Sequence, residues 1–279
     1  MASEWFKLSE PAEYVLLIQM ARVLASRFWK AYGALFDAIP NSHPHIRAVI
    51  LSSALPKIWT AGLDLYDPNL GTQLAPATTD PFRKGAELRE FIVAFQHAIA
   101  APERCPVPVI AAVHGLCIGL GIDVISACDI RYTADDAAFS IKVHIGLAAD
   151  IGSLAYVPKI TGNQSLIREF ALSARMFNAA EAEKAGLVSR VVSGSGEGVV
   201  KAALETAKVI ASKSPVAVQS TKHILLHSRD HSVADNLAYT ATYNSLALQT
   251  QDLAECFRAV KAKQQPTFGD VRKKAGAKL

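Results

Sequence analysis

No apolar run in these 279 residues approaches the length of a membrane span, so no membrane segment is expected. Residues 1–7 lack the apolar core of a signal peptide. The four cysteines (Cys105, Cys117, Cys128, Cys256) include no CxxC pair and no neighbouring histidine pair, which argues against a zinc site. Cys117 and Cys128 lie in apolar runs and read as reduced core residues. No G-x-S-x-G elbow points to a serine hydrolase. Gly119 and Gly121 begin a G-x-G-x-x-G pattern, but Val124 stands at its third glycine, which excludes the dinucleotide fingerprint. Charge is sparse at 19% and the net balance is only +4, so no nucleic-acid partner is expected and an anionic small ligand fits.

What is present is apolar pattern. At 51% hydrophobic residues, the chain can build a large core. Periodicity predicts strands at 14–20, 45–52, 108–114, 130–133 and 138–141, with a strand end and turn at 59–65. Helices are predicted at 25–39, 83–100 and 121–128, a Pro- and Gly-containing loop at 67–80, and a nearly all-helical stretch from Asp150, interrupted near 187–198. The fold class is therefore α/β with C-terminal helices, divided into a core over 1–200 and a helical region over 201–279.

The run from Val113 to Asp129 carries the chemistry. It reads as a buried strand, a glycine turn and a buried helix, with Asp123 two residues beyond Gly121. A carboxylate in so apolar a setting is costly unless it is paired or used, so Asp123 is an acid/base group or a buried hydrogen bonder. Two glycine turns, at Ala61–Asp64 and Gly119–Gly121, can each present a backbone N–H to a pocket. Two such donors converging on one carbonyl oxygen form an oxyanion hole. Each turn taken alone reads as an ordinary tight turn. Asp150 is a second acid or the N-cap of the following helix. Asp129 and Arg131 read as structural, and His114 and His144 as core or surface histidines.

Several strings in combination resemble the enoyl-CoA hydratase/isomerase (crotonase) family over about residues 45–265. They are the segments 60–67 (TAGLDLYD), 117–119 (CIG), 123–132 (DVISACDIRY), 146–152 (GLAADIG), 213–219 (KSPVAVQ), 228–233 (SRDHSV) and 248–252 (LQTQD). The strings at 146–152 and 228–233 are similar to the dienoyl-CoA isomerase branch.

The resemblance implies a crotonase-like spiral of strand-strand-helix units and a C-terminal trimerisation region, with Leu237 to Leu248 as the candidate contact. It implies an acyl-CoA thioester substrate whose carbonyl lies between the N–H groups of Leu63 and Leu120. Ala61, Gly62, Asp64, Gly119 and Gly121 would line the binding turns. Asp150 matches a proton-shuttle acid and Asp123 the pocket carboxylate beside it. No metal or redox cofactor is implied, because coenzyme A belongs to the substrate. The expected reaction converts 3,5-dienoyl-CoA to 2,4-dienoyl-CoA, and a homotrimer or homohexamer is expected. The alternatives are an enoyl-CoA hydratase and a weakly active or inactive acyl-CoA binder. The terminal Ala277-Lys278-Leu279 is one residue from Ser-Lys-Leu, which implies a peroxisomal import receptor as partner and a peroxisomal location.

Three departures accompany the resemblance. The segment from Phe139 to Gly146 is one residue shorter than the family pattern and contains no acid, so its usual glutamate is missing, with Lys142 and His144 the nearest titratable residues. Leu120 stands where the family has an oxyanion-hole glycine. The turn at 20–25 lacks the family's Asn-Arg-Pro and Asn-Ala pattern and is expected to be shortened. Lys57 is a candidate contact for the CoA phosphates.

Overall fold

Alternate residues of the buried strands face opposite ways, and each face finds its own partner. On one face Val15, Leu17, Ala48, Ile50, Ile110 and Ala112 pack against Val199, Ala203 and Ala207. On the other, Leu16, Ile18, Val49, Leu51, Val109 and Ala111 join the main core with Phe28, Tyr32 and Phe36. Strands covered on both faces read as continuous apolar runs, which is why the sequence shows them clearly.

The computed structural model describes residues 2–22, 27–64, 80–141 and 146–272. Residues 23–25 of the expected short turn (20–25), most of the expected loop (67–79), Lys142, His144 and the Ala277–Leu279 terminus lie outside the described residues.

Ten strands form two sheets among these residues. They are β1 (Phe6–Ala12), β2 (Val15–Met20), β3 (Ala48–Ser53), β4 (Ile58–Thr60), β5 (Val109–Val113), β6 (Leu116–Ile118), β7 (Ile130–Ala134), β8 (Ala138–Ser140), β9 (Phe177–Asn178) and β10 (Arg190–Val192). The larger sheet has the order β1-β2-β3-β5-β7-β10 and the smaller β4-β6-β8-β9. Only β1 with β2 and β8 with β9 pair antiparallel. The chain thus repeats one unit: a strand in the large sheet, a strand in the small sheet, then a helix. Three such units run through β3 and β4, β5 and β6, and β7 and β8, followed by the helices Pro81–Ile99, Leu120–Ser126 and Ser153–Ile160.

Two sequence expectations shift. The helix expected from 83 starts at Pro81, because Asp80 accepts the N–H groups of Phe82 and Arg83 and Pro81 is suited to a first helical turn. The edge strand β1 was not expected, since only Phe6 of Phe6–Ala12 is buried and the strand has no apolar alternation. The expected division at 200/201 falls within the helix Gly196–Ala211, whose buried side chains cover the large sheet.

Beyond it, the helices Pro215–Asp230, Val233–Ala247 and Gln251–Ala262 carry few buried residues. The first is fastened to the core by Lys222, whose Nζ donates to Asp129 (2.7 Å), to the Pro102 carbonyl (2.8 Å) and to the Val107 carbonyl (3.1 Å). Asp129 also accepts the Val109 N–H, and Arg131 donates to the carbonyls of Leu187 and Cys128. Both residues act structurally, as their sequence setting suggests. Cys117 and Cys128 are buried free thiols, and burial pushes the Cys128 thiol up to about 12.

Candidate functional site

Strand register brings the two glycine turns together. In the small sheet β4 and β6 run parallel with Thr60 opposite Cys117. Leu63 and Leu120 each lie three residues beyond that pair, so both follow their strands at the same end of the sheet. Gly62 (φ +89°) and Gly119 (φ +54°) turn the chain there, in a region that favours glycine. A Cβ on Gly62 would stand 3.0 Å from the Ile118 carbonyl oxygen, so the turns touch. The Gly62 N–H is held by Thr60 Oγ1 at 3.1 Å.

After Gly119 the helix Leu120–Ser126 begins at once. The first amides of a helix have no partner inside it, and its dipole favours negative charge at that end. The Leu120 N–H donates to no other described residue. Leu120 itself is a helical residue, with the positive φ carried by Gly119, so a leucine here incurs no left-handed strain.

A cavity of about 220 Å³ opens over these turns. Residues 61–63, Phe95, 118–120, Asp123 and 147–151 line it. It therefore unites Ala61, Gly62, Leu63, Gly119, Leu120, Asp123 and Asp150 from the sequence-derived set. Asp64 and Gly121 do not line it. Gly121 serves helix placement instead: a Cβ there would meet Thr60 Cγ2 at 2.5 Å and Cys117 Sγ at 2.9 Å. Lys57 does not line the cavity either, and its carbonyl accepts the Leu116 N–H. His114 lies outside it, buried, with Nε2 2.8 Å from the Leu55 carbonyl.

Asp123 is 4% exposed and sits in the first turn of its helix. Its Oδ1 accepts the Ser153 N–H at 2.6 Å. Burial raises its carboxyl above the usual 3.8, while the backbone amides of Ser153 and Gly152 act in the opposite direction. The helix Ser153–Ile160 has Gly152 at its N-cap and no local side-chain cap, so Asp150 does not cap it. Asp123 meets that need from another helix. Asp150 is exposed in the preceding loop, and its backbone carbonyl accepts from Gln96 Nε2 at 2.6 Å. Phe95, Leu147, Ala149 and Ile151 were missed in the sequence, because apolar cavity walls carry the same pattern as core.

Two glycine turns, one of them at a helix start, a buried carboxyl and an exposed carboxyl surround a small, mostly apolar cavity. Such a site can hold a carbonyl oxygen that gains charge while an acid moves a proton.

The chain is similar to known proteins in sequence and in fold. The sequence profile of the enoyl-CoA hydratase/isomerase family matches residues 24–272. The chain is 47% identical over 262 residues to the mitochondrial Delta(3,5)-Delta(2,4)-dienoyl-CoA isomerase of Homo sapiens, covering 92% of this chain and 79% of that protein. It is 42% identical over 229 residues to the peroxisomal Delta(3,5)-Delta(2,4)-dienoyl-CoA isomerase of Arabidopsis thaliana, covering 82% and 81%. Its fold superposes on the crystal structure of enoyl-CoA hydratase from Bacillus anthracis with a TM-score of 0.82, covering 95% of this chain and 98% of that one at 24% identity. With strand-strand-helix units, paired glycine turns and a matching profile over most of its length, this chain belongs to the enoyl-CoA hydratase/isomerase family.

Proposed function

We propose that this protein is a dienoyl-CoA isomerase that converts 3,5-dienoyl-CoA to 2,4-dienoyl-CoA. The observation that carries the reading is one cavity holding the Leu63 and Leu120 turns together with Asp123 and Asp150. The two relatives named for that reaction, at 47% and 42% identity, support it.

In this reading the thioester oxygen accepts from the amides of Leu63 and Leu120. A proton leaves C2, giving a dienolate whose charge rests on that oxygen. A proton returns at C6, which leaves double bonds at C2 and C4. One proton is lost and one gained, no electrons leave the substrate, and no redox cofactor is required. Asp150 is the proton-shuttle acid. Asp123, buried and bonded to the Ser153 amide, is the accompanying pocket carboxylate and holds the wall that carries Asp150.

The test is incubation with a 3,5-dienoyl-CoA, following the conjugated product by ultraviolet absorbance. Asp150→Asn is expected to lower the rate about 10²- to 10⁴-fold. An unchanged rate in that variant sinks the assignment. A second reading, an acyl-CoA binder without turnover, is favoured by the lack of any acid between Phe139 and Gly146. Calorimetric binding of an acyl-CoA with no product formed selects it. A hydratase would instead add water to a 2-enoyl-CoA.

A homotrimer or homohexamer belongs to the same proposal. The helix Val233–Ala247 has no buried residue, and Leu237 and Leu246 are 64% and 75% exposed. A peroxisomal location through Ala277-Lys278-Leu279 is likewise proposed. A fluorescent fusion that stays out of peroxisomes with the tripeptide intact rejects it.

A further inference from the structure

The loop that carries Asp150 has open space on two sides. Ala148, Ala149, Asp150 and Ile151 line the 220 Å³ cavity and also a second one of about 690 Å³ between this loop and the helix Pro81–Ile99. Between these two cavities the loop is held by the packing of Ala149 and Ile151 on the core and by two hydrogen-bond tethers. One is the Asp123 bond to the Ser153 amide, beyond the loop's end. The other acts on Asp150 itself: Gln96 Nε2 donates to its backbone carbonyl at 2.6 Å, across 54 residues of sequence. Gln96 stands on firm ground. Its neighbour Phe95 is 2% exposed and stacks on Trp29 with ring centroids 4.8 Å apart. Phe95 also lines the smaller cavity, so one helix both shapes the pocket and grips the loop opposite it.

We propose that Gln96 is a positioning residue for the reaction: its carboxamide fixes the main chain at Asp150, and through it the shuttle acid, relative to the Leu63 and Leu120 amides. This role rests on the isomerase reading above. Gln96 touches no reacting atom and acts only through the Asp150 carbonyl. Misplacing a catalytic group by about 1 Å can cost about a hundredfold in rate while binding is kept.

The test uses the full chain and a 3,5-dienoyl-CoA. Gln96→Met removes the donor at similar volume, and Gln96→Glu keeps the shape but sets an acceptor against the carbonyl. Both are expected to lower kcat about ten- to a hundredfold with KM little changed. Amides of residues 149–152 should exchange hydrogen faster, with the thermal midpoint unmoved. A kcat equal to wild type, a loss carried in KM, or a loss that tracks a lowered midpoint overturns the positioning role alone. A wild-type protein that binds the dienoyl-CoA without turnover overturns the isomerase reading, and this role with it.

Discussion

Asp123 Oδ1 and the Ser153 backbone nitrogen are 2.6 Å apart, although thirty residues separate them in sequence. A carboxylate in the first turn of one helix thereby satisfies the first turn of another. The contact ties the helix that begins at Leu120 to the helix that follows the Asp150 loop, so a hydrogen bond links two walls of the cavity.

The burial of Asp123 has a pH signature. Burial raises the Asp123 carboxyl above its usual 3.8. A carboxyl raised on folding contributes stability that is full below its unfolded value and is lost as pH rises through its folded value. Asp123→Asn removes this titration. In urea unfolding from about pH 4 to pH 7, the variant's stability relative to wild type should therefore improve as pH rises. A difference that stays flat over that range contradicts the raised carboxyl.

The Leu120 amide can be deleted without breaking its helix. Leu120 is the first helical residue, a position proline tolerates. Gly119, the residue before it, has no Cβ to clash with a proline ring. Leu120→Pro and Leu120→Ala both lose apolar contact, but only proline lacks the N–H. Steady-state turnover of a dienoyl-CoA should be about 10²- to 10³-fold slower in the proline variant than in the alanine one. Equal rates would remove Leu120 from the oxyanion hole.

Gly121→Ala should be destabilising. The new methyl would meet Thr60 Cγ2 at 2.5 Å and Cys117 Sγ at 2.9 Å, closer than van der Waals contact allows. Overfilling of this kind costs about 1–3 kcal/mol, readable as a lower midpoint in denaturant. Because the helix also carries Leu120 and Asp123, activity should fall with it. A variant as stable as wild type would show that the helix moves freely off β4.

Assembly should depend on the exposed face of the helix Val233–Ala247. Light scattering of wild type is expected to give a mass several times the 29.9 kDa of one chain. Leu237→Asp places a charge on that face and should shift the population toward single chains. A wild-type mass near 29.9 kDa rejects the assembly.

Much of this molecule is legible in its residues. The continuous apolar runs of β2, β3 and β5 mark strands covered on both faces, and Asp123 announces itself as a carboxylate in an apolar helix. The edge strand β1 is silent because an edge facing solvent needs no apolar alternation. Gly121 misleads, since a glycine beside a functional turn looks the same whether it admits a ligand or a neighbouring side chain.

By itself, the sequence determined the α/β class, the positions of the two glycine turns, the family and the missing acid between Phe139 and Gly146, because these rest on local pattern and residue identity. Only the tertiary structure decided that Thr60 and Cys117 stand in parallel register, that Asp123 rather than Asp150 supplies the bond to the Ser153 amide, and that Gln96 reaches the Asp150 carbonyl. Each of those joins residues remote along the chain. Their geometry follows from how sheets and helices pack, which no local run of residues encodes.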